Sequence, residues 1–488
     1  MKIFKLISAL LICVLVFSGC INRQAENDIK QYNFIAGQSN IFPFYVIGED
    51  DDLWRVERHS AYSTKIRVNY PKGSSQLNFV RYLKEDDCVI FATEITVENG
   101  TVIADICQLT KNDFLKIKER VKLNSLHLKN NGDMLFIDET DTLFFRRDGI
   151  LIKIEENVAQ SEFVGEDTFL FRLDTFTETD GQKLYPIYYA TAEYRNHLMD
   201  GKEIISSDSE NGKAYIIKEK RTVQKRASSC EVATVYVYAD GEILFELPSV
   251  VLSQFSENKH IFLLTINEES PTLTYDLYRT DSTGAVLMAK NIISGRYVSP
   301  FRDVYAYEFN DKGKVLTALI DYREAVLTYD LGNECSLENI YCSNQNVYAL
   351  KNNTLVLLEN GTETKLHENV DAVKNVSGAL LLFNGKTPPY TITVCLNREV
   401  HYEVHYVQNS NVYYKDGNLY YYSGEGLNIL DKWGASTAII SNIDTDIGFF
   451  ACEDTVAVSK KDDKTLHIAG RWGMVNATVK IKKFVQEV

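Results

Sequence analysis

From Ile41 onward, apolar and polar residues alternate with a period of two, in short runs rich in aromatic and β-branched side chains. Successive residues of a strand point to opposite faces, so this pattern predicts strands. Helical periodicity is nearly absent, and Phe114 to Leu123 is the ambiguous stretch. Asn-Gly or Asp-Gly stands at 99–100, 131–132, 148–149, 180–181, 200–201, 211–212, 240–241, 360–361, 384–385 and 416–417. Such pairs favour type I′ turns, whose twist matches antiparallel strands. The pattern predicts an all-β, antiparallel chain of successive hairpins.

The hairpins repeat. An Asp or Asn precedes an apolar-aromatic strand in Asp87-Cys-Val-Ile-Phe91, Asp133-Met-Leu-Phe-Ile137, Asp167-Thr-Phe-Leu-Phe171, Asp303-Val-Tyr-Ala-Tyr307 and Asn346-Val-Tyr-Ala-Leu350. With these as markers, units open near 41, 87, 133, 167, 213, 259, 303, 346, 378, 411 and 446. Most have room for four short strands. A lone four-stranded meander cannot bury both faces, and radial stacking about an axis solves that. Units of ~40–45 residues match propeller blades.

The segment Asp276-Leu-Tyr-Arg-Thr-Asp-Ser-Thr-Gly284-Ala-Val-Leu287 resembles the repeats of YWTD-type and TolB-like propellers of secreted and lipid-anchored bacterial proteins. The resemblance implies a β-propeller of four-stranded antiparallel blades, about seven or eight. Longer units fill 41–345, expected to be the propeller. Shorter ones fill 346–488, expected to be a second β region or the completion of the same ring. Boundary Asp, Asn and Gly residues read chiefly as turn formers, and the aromatic positions as core.

The first twenty residues have a different pattern. Lys2 and Lys5 precede an apolar run from Leu6 to Phe17, too short for a stable span of ~20 residues but suited to an export signal. Phe17-Ser18-Gly19-Cys20 resembles the lipobox of bacterial lipoproteins, with Phe17 where Leu is usual. The resemblance implies that 1–19 is removed and Cys20 acylated. Stable anchoring takes more than one acyl chain, which a diacylated cysteine supplies. An ordinary signal peptide with an incidental Cys20 is the alternative. The mostly polar 20–40 stretch then reads as a flexible tether. The implied location is the extracytoplasmic face of the cell membrane, with Cys20 as the lipidation site.

Composition narrows the partners. The 488 residues are 45% hydrophobic and 24% charged, with a net charge of −15. That is globular composition, and it argues against nucleic acid, whose phosphates need clustered Lys and Arg. Beyond Cys20, Cys88, Cys107, Cys230, Cys335, Cys342, Cys395 and Cys452 are too sparse for a disulfide scaffold. Most lie in strand-like runs as small hydrophobes; Cys335 and Cys342 are close enough in sequence to pair.

Three constellations could carry chemistry. His401, Glu403 and His405 fall on one strand face, where two imidazoles could share zinc. Asn442, Asp444, Asp446 and Glu453 partly follow a calcium loop, but Ile447 stands where the sharp turn needs Gly, and Ile447-Gly448-Phe-Phe-Ala-Cys452 reads better as an opening strand. Glu49-Asp50-Asp51-Asp52 is a carboxylate run beside Trp54 that reads as a solvated loop. Ser423 has Tyr421 and Glu425 where a nucleophile elbow needs Gly. The dense aromatic run Asn418-Leu-Tyr-Tyr-Tyr422 offers rings for stacking or for packing between blades. No catalytic, cofactor-binding or metal residue is assigned, and no cofactor is expected. The leading expectation is a lipid-anchored binding or scaffold module for protein, peptide or glycan. An extracellular hydrolase or lyase and an envelope-assembly component are the alternatives.

Overall fold

The computed structural model describes residues 43–485, apart from 58–63, 66–76, 85, 111–112, 180, 209–211, 226–227, 240, 253–261, 281–283, 300–303, 321–325, 377, 409–411, 416, 424–425, 432–434, 445–448, 453–454 and 471–472. The signal segment, Cys20 and the tether lie outside the described residues, as do Asp446, Gly448 and Glu453.

The described chain is all-β and built from antiparallel meanders of the β-propeller class. Sheet A comprises Asn78–Leu83, Cys88–Glu98, Thr101–Leu109 and Phe114–Lys122; sheet B comprises His127–Leu128, Met134–Ile137, Leu143–Arg147 and Ile150–Glu155. Sheet C orders Val158–Phe163, Phe169–Leu173 and Gln182–Ala190, the last flanked by Thr177–Thr179 and Arg195–Gly201. Sheet D is a ten-stranded run from Glu203–Asp208 to Val326–Tyr329. Sheets E (340–368), F (372–407) and G (413–441) are four-stranded. Sheet H joins both ends of the described chain: Phe44–Gly48 pairs with Leu53–Val56 on one side and with the terminal Gly473–Phe484 on the other. Phe114–Lys122, ambiguous in sequence, is a strand followed by a single 3₁₀ turn.

Several repeat markers fall on second strands rather than first ones. Cys88–Glu98, Met134–Ile137, Phe169–Leu173, Asn346–Lys351 and Ala379–Asn384 are each second in their sheet. The reason is burial. A second strand has neighbours on both sides and sheets above and below, so Met134–Ile137 is buried throughout. Fourth strands such as Ile150–Glu155 are partly exposed and carry a weaker apolar signature. Asp87, before the Cys88 strand, makes the tight turn from the first strand, with φ of 46°. Asn99-Gly100, Asp148-Gly149 and Asn360-Gly361 have positive φ at both positions, the requirement of type I′ turns.

The described chain divides into two compact units. One runs to Asn124 and includes Lys386–Tyr390 and Val404–Val488; the other comprises Ser125–Gly385 and Thr391–Glu403. Within each, neighbouring sheets cover one another face to face. In the first, Tyr45, Ile47 and Leu53 of sheet H pack on Val89, Phe91 and Leu109 of sheet A. Tyr420, Tyr422 and Leu427 of sheet G likewise pack on Val456 and Val458 of sheet H. In the second, Leu135 and Phe145 of sheet B meet Phe169 and Phe171 of sheet C. On its other side, sheet C lays Leu170 and Ile187 against Ile204, Ala214 and Ile216 of sheet D. Asn418–Ser423 is buried from Asn418 to Tyr422, so the tyrosines of this run fill core. Cys88, Cys107, Cys335 and Cys395 are buried, and Cys335 forms no disulfide with Cys342.

Candidate functional site

The residues singled out in the sequence occupy three separate places. His401, Glu403 and His405 are exposed on Glu399–Val407, the edge strand of sheet F, while Val404 and Val407 face inward. Tyr406, with φ of 60°, interrupts the alternation just after them. Among the described residues, no group of three His, Cys, Asp or Glu side chains is placed to hold a metal ion. Asn442 and Asp444 sit in a turn bridged to the neighbouring hairpin: Lys461 N–H donates to the Asn442 carbonyl at 2.9 Å and Asp444 N–H to the Ser459 carbonyl at 2.8 Å. Phe449–Cys452 is a strand. Ser423 ends the strand Asn418–Ser423 at a hairpin turn, opposite Gly426.

The carboxylate run is the turn between Phe44–Gly48 and Leu53–Val56. Asp51 has φ of 58°, and the Asp50 carboxylate accepts the Asp52 N–H at 3.2 Å. Lys482 reaches Asp51 at 2.7 Å and Lys464 reaches Glu49 at 3.6 Å. Its charge is therefore partly balanced by lysines of the same sheet.

Among the described residues, a cleft between sheets C and D that the sequence did not single out gathers polar side chains from several strands. It encloses about 350 Å³ and is lined by Gln160, Arg172, Lys183, Tyr185, Lys202, Glu203 and Lys220. Strand register builds it. Gln160 lies directly opposite Arg172, and Tyr185 directly opposite Gly201. A Cβ on Gly201 would stand 3.0 Å from both Ile187 Cδ1 and the Ile217 carbonyl, so glycine lets the connection to Lys202 pass close under sheet D. Thr177–Thr179 pairs with Gln182–Leu184, making an exposed hairpin arm that carries Phe176 and Lys183 to the rim.

Arg172 is the fixed point of this cleft. Its Nε donates to Gln160 Oε1 at 3.0 Å, and the same oxygen accepts the Ile204 N–H at 3.1 Å. Its guanidinium lies 4.2 Å from the centroid of the Tyr185 ring. Burial draws its pKa downward, against the opposing influence of Tyr185, Asp174 and Glu203, yet a guanidinium stays charged at any physiological pH. Lys183 Nζ sits 4.1 Å over the Phe176 ring. Lys220 pairs with Glu203 at 2.6 Å. Among the described residues, Arg172, Lys183 and Lys202 make no ion pair, and Glu178, directly across from Lys183, does not close one. Four cations thus face one carboxylate, in a chain whose net charge is −15.

These residues come from separate strands, so no local motif marks them. The available signal was charge: Lys213–Lys225 holds Lys213, Lys218, Lys220, Arg221 and Lys225, a basic stretch in an acidic chain.

No family model matches the sequence, and no curated protein matches it. Among solved structures, the chain is similar to Porphyromonas gingivalis dipeptidyl peptidase 4 at 7% identity and a TM-score of 0.35, over 74% of this chain and 65% of that one. It is also similar to the β-propeller domain of Myceliophteria thermophila Cps50 (Swd1) at 12% identity and a TM-score of 0.24, over 47% of this chain and 84% of that one. The match thus spans less than two thirds of the peptidase. The class defined by the described strands is an all-β chain of successive antiparallel sheets, most of them four-stranded, carrying a cationic cleft between sheets C and D.

Proposed function

We propose that this protein is an extracytoplasmic binding module, held at the cell membrane by lipid on Cys20 and offering its inter-blade cleft to a protein, peptide or glycan. The carrying observation is the cleft: polar groups held by strand register, in which Arg172, Lys183 and Lys202 have no carboxylate in ion-pair contact among the described residues. Such a preformed concavity with a few convergent polar groups is the usual form of a ligand site. The Phe17-Ser18-Gly19-Cys20 segment supports the anchor, because two acyl chains would hold the protein at the membrane without a spanning helix. Among the described residues, no helix is long and apolar enough to cross a membrane.

The test of the anchor is fractionation with metabolic labelling. Wild-type protein should take up labelled palmitate and sediment with membranes, and Cys20→Ala should lose the label and move to the soluble fraction. A Cys20→Ala form that stays membrane-bound would overturn the anchor. Turnover in a broad glycan and peptide screen, abolished by a single substitution in the cleft, would overturn the non-enzymatic reading.

A further inference from the structure

The cleft's charge identifies what it takes. A half-buried arginine is normally matched by a carboxylate, and this chain has 67 acidic residues available. Yet Arg172, Lys183 and Lys202 line one cleft, among the described residues no carboxylate is in ion-pair contact with them, and Glu203 is engaged by Lys220. Like charges gathered in a partly desolvated cleft repel one another, so the arrangement is most favourable when an anion enters.

Its geometry indicates the kind of anion. Gln160 and Tyr185 fix the Nε and the face of Arg172, which pre-organises the guanidinium for planar, two-point recognition of oxyanions. One carboxylate on a ligand would neutralise one cation only. A phosphoryl group carries about −1.5 to −2 charges and three acceptor oxygens, enough to engage the arginine and both lysines. Gln160 Oε1 already accepts two N–H groups, which leaves its amide NH₂ as a further donor.

We propose that the Gln160–Lys220 cleft binds a phosphoryl group on its ligand, with Arg172 as the two-point anchor and Lys183 and Lys202 as flanking point charges. The proposal rests on the binding-module reading and deepens it. The phosphoryl group can belong to a small phosphorylated molecule or repeat along an anionic chain.

The experiment is titration calorimetry on the acylated full-length protein in detergent. The probes are inorganic phosphate, pyrophosphate, glucose 6-phosphate, long-chain polyphosphate, and galacturonate and glucose as controls. At least one phosphorylated probe should bind, and binding should weaken as salt is raised. Arg172→Gln should lower its affinity about tenfold or more, and Arg172→Lys should fail to restore it, because a lysine lacks the fork. Lys202→Gln should lower it by a smaller factor. Glu203→Gln should raise it, by freeing Lys220, a gain that misfolding cannot imitate. Equal urea midpoints for wild type and Arg172→Gln establish that the variant folds. Small probes binding as well as polyphosphate assigns a small ligand; polyphosphate alone assigns an anionic chain.

The proposal is overturned if no phosphorylated probe binds, or if Arg172→Gln binds it as tightly as wild type. Galacturonate or glucose bound in preference to every phosphorylated probe would overturn it too, while leaving the binding-module reading intact. Hydrolysis of a probe would overturn the non-enzymatic reading instead.

Discussion

At Glu49–Asp52, four carboxylates crowd one turn, and lysines of the same sheet answer two of them: Lys482 at Asp51 and Lys464 at Glu49. At the cleft between sheets C and D, three cations have no ion-pair partner among the described residues, while the fourth holds the one carboxylate that lines it. The first arrangement is visible in sequence as an acidic run, and it is a hairpin turn whose charge is balanced within the fold. The second is invisible as a motif, and its imbalance has no purpose inside the fold. Charge density in a sequence is thus a poor guide to a site; charge left over after folding is a better one.

The comparison can be broken most forcefully at the apolar layer that supports the acidic hairpin. Tyr45 meets Phe91 edge to face at 5.4 Å, and both are fully buried between sheets H and A. Phe91→Ala is expected to cost about 3–5 kcal/mol, read as a lowered urea midpoint. A loss no greater than that of a surface substitution would mean that the hairpin is not held by this core. Next in size is Gly201→Val, where the new side chain would press on Ile187 and the Ile217 carbonyl. Overpacking there should cost about 1–3 kcal/mol and should also weaken cleft binding.

The smaller effects test the charge argument by sign. Asp51→Asn removes the partner of Lys482, an exposed pair, and should destabilise by about 0–1 kcal/mol, less at high salt. Without ligand, Lys202→Gln should be neutral or slightly stabilising, because it removes repulsion rather than a pair. Denaturation at low and high salt reads both, and the same sign at the two sites would remove the distinction between them.

A further small effect is confined to alkaline pH. Burial, followed by its hydrogen bond to Asp87, pushes the Tyr82 phenol up to about 12 from its ordinary value of 10.0. A folded-state value above the unfolded one gives stability that is complete below about pH 10 and is lost as pH rises towards 12. Urea midpoints measured across that window should fall more steeply for wild type than for Tyr82→Phe.

Much of the architecture could be read from the chain because strand burial writes directly onto composition. The runs at 88–91, 134–137 and 169–171 are apolar because they are second strands, and Asn-Gly turns such as Asn99-Gly100 need positive φ that few other pairs supply. What was misplaced in several repeats was the phase: sheets A, B, C, E and F begin a strand earlier than their strongest signal, since a first strand such as His127–Leu128 is short and half-exposed. The site was far less legible. Gln160, Arg172, Lys183 and Lys202 meet only through the pairing of sheet C and its packing on sheet D, and cross-strand register is not local in sequence. The histidines at 401 and 405 were conspicuous by spacing alone, which placed them on one exposed edge without gathering other ligands.

The pairing of Val46 with Phe484 also has a kinetic meaning. The strand Phe44–Gly48 precedes one of its two hydrogen-bonding neighbours, Gly473–Phe484, by almost the whole of the described chain. Contacts of such extreme sequence separation form slowly, so the opening strands would wait with one bare edge. A chain lacking Gly473–Phe484 would leave that edge permanently open, a defect far larger than the missing mass.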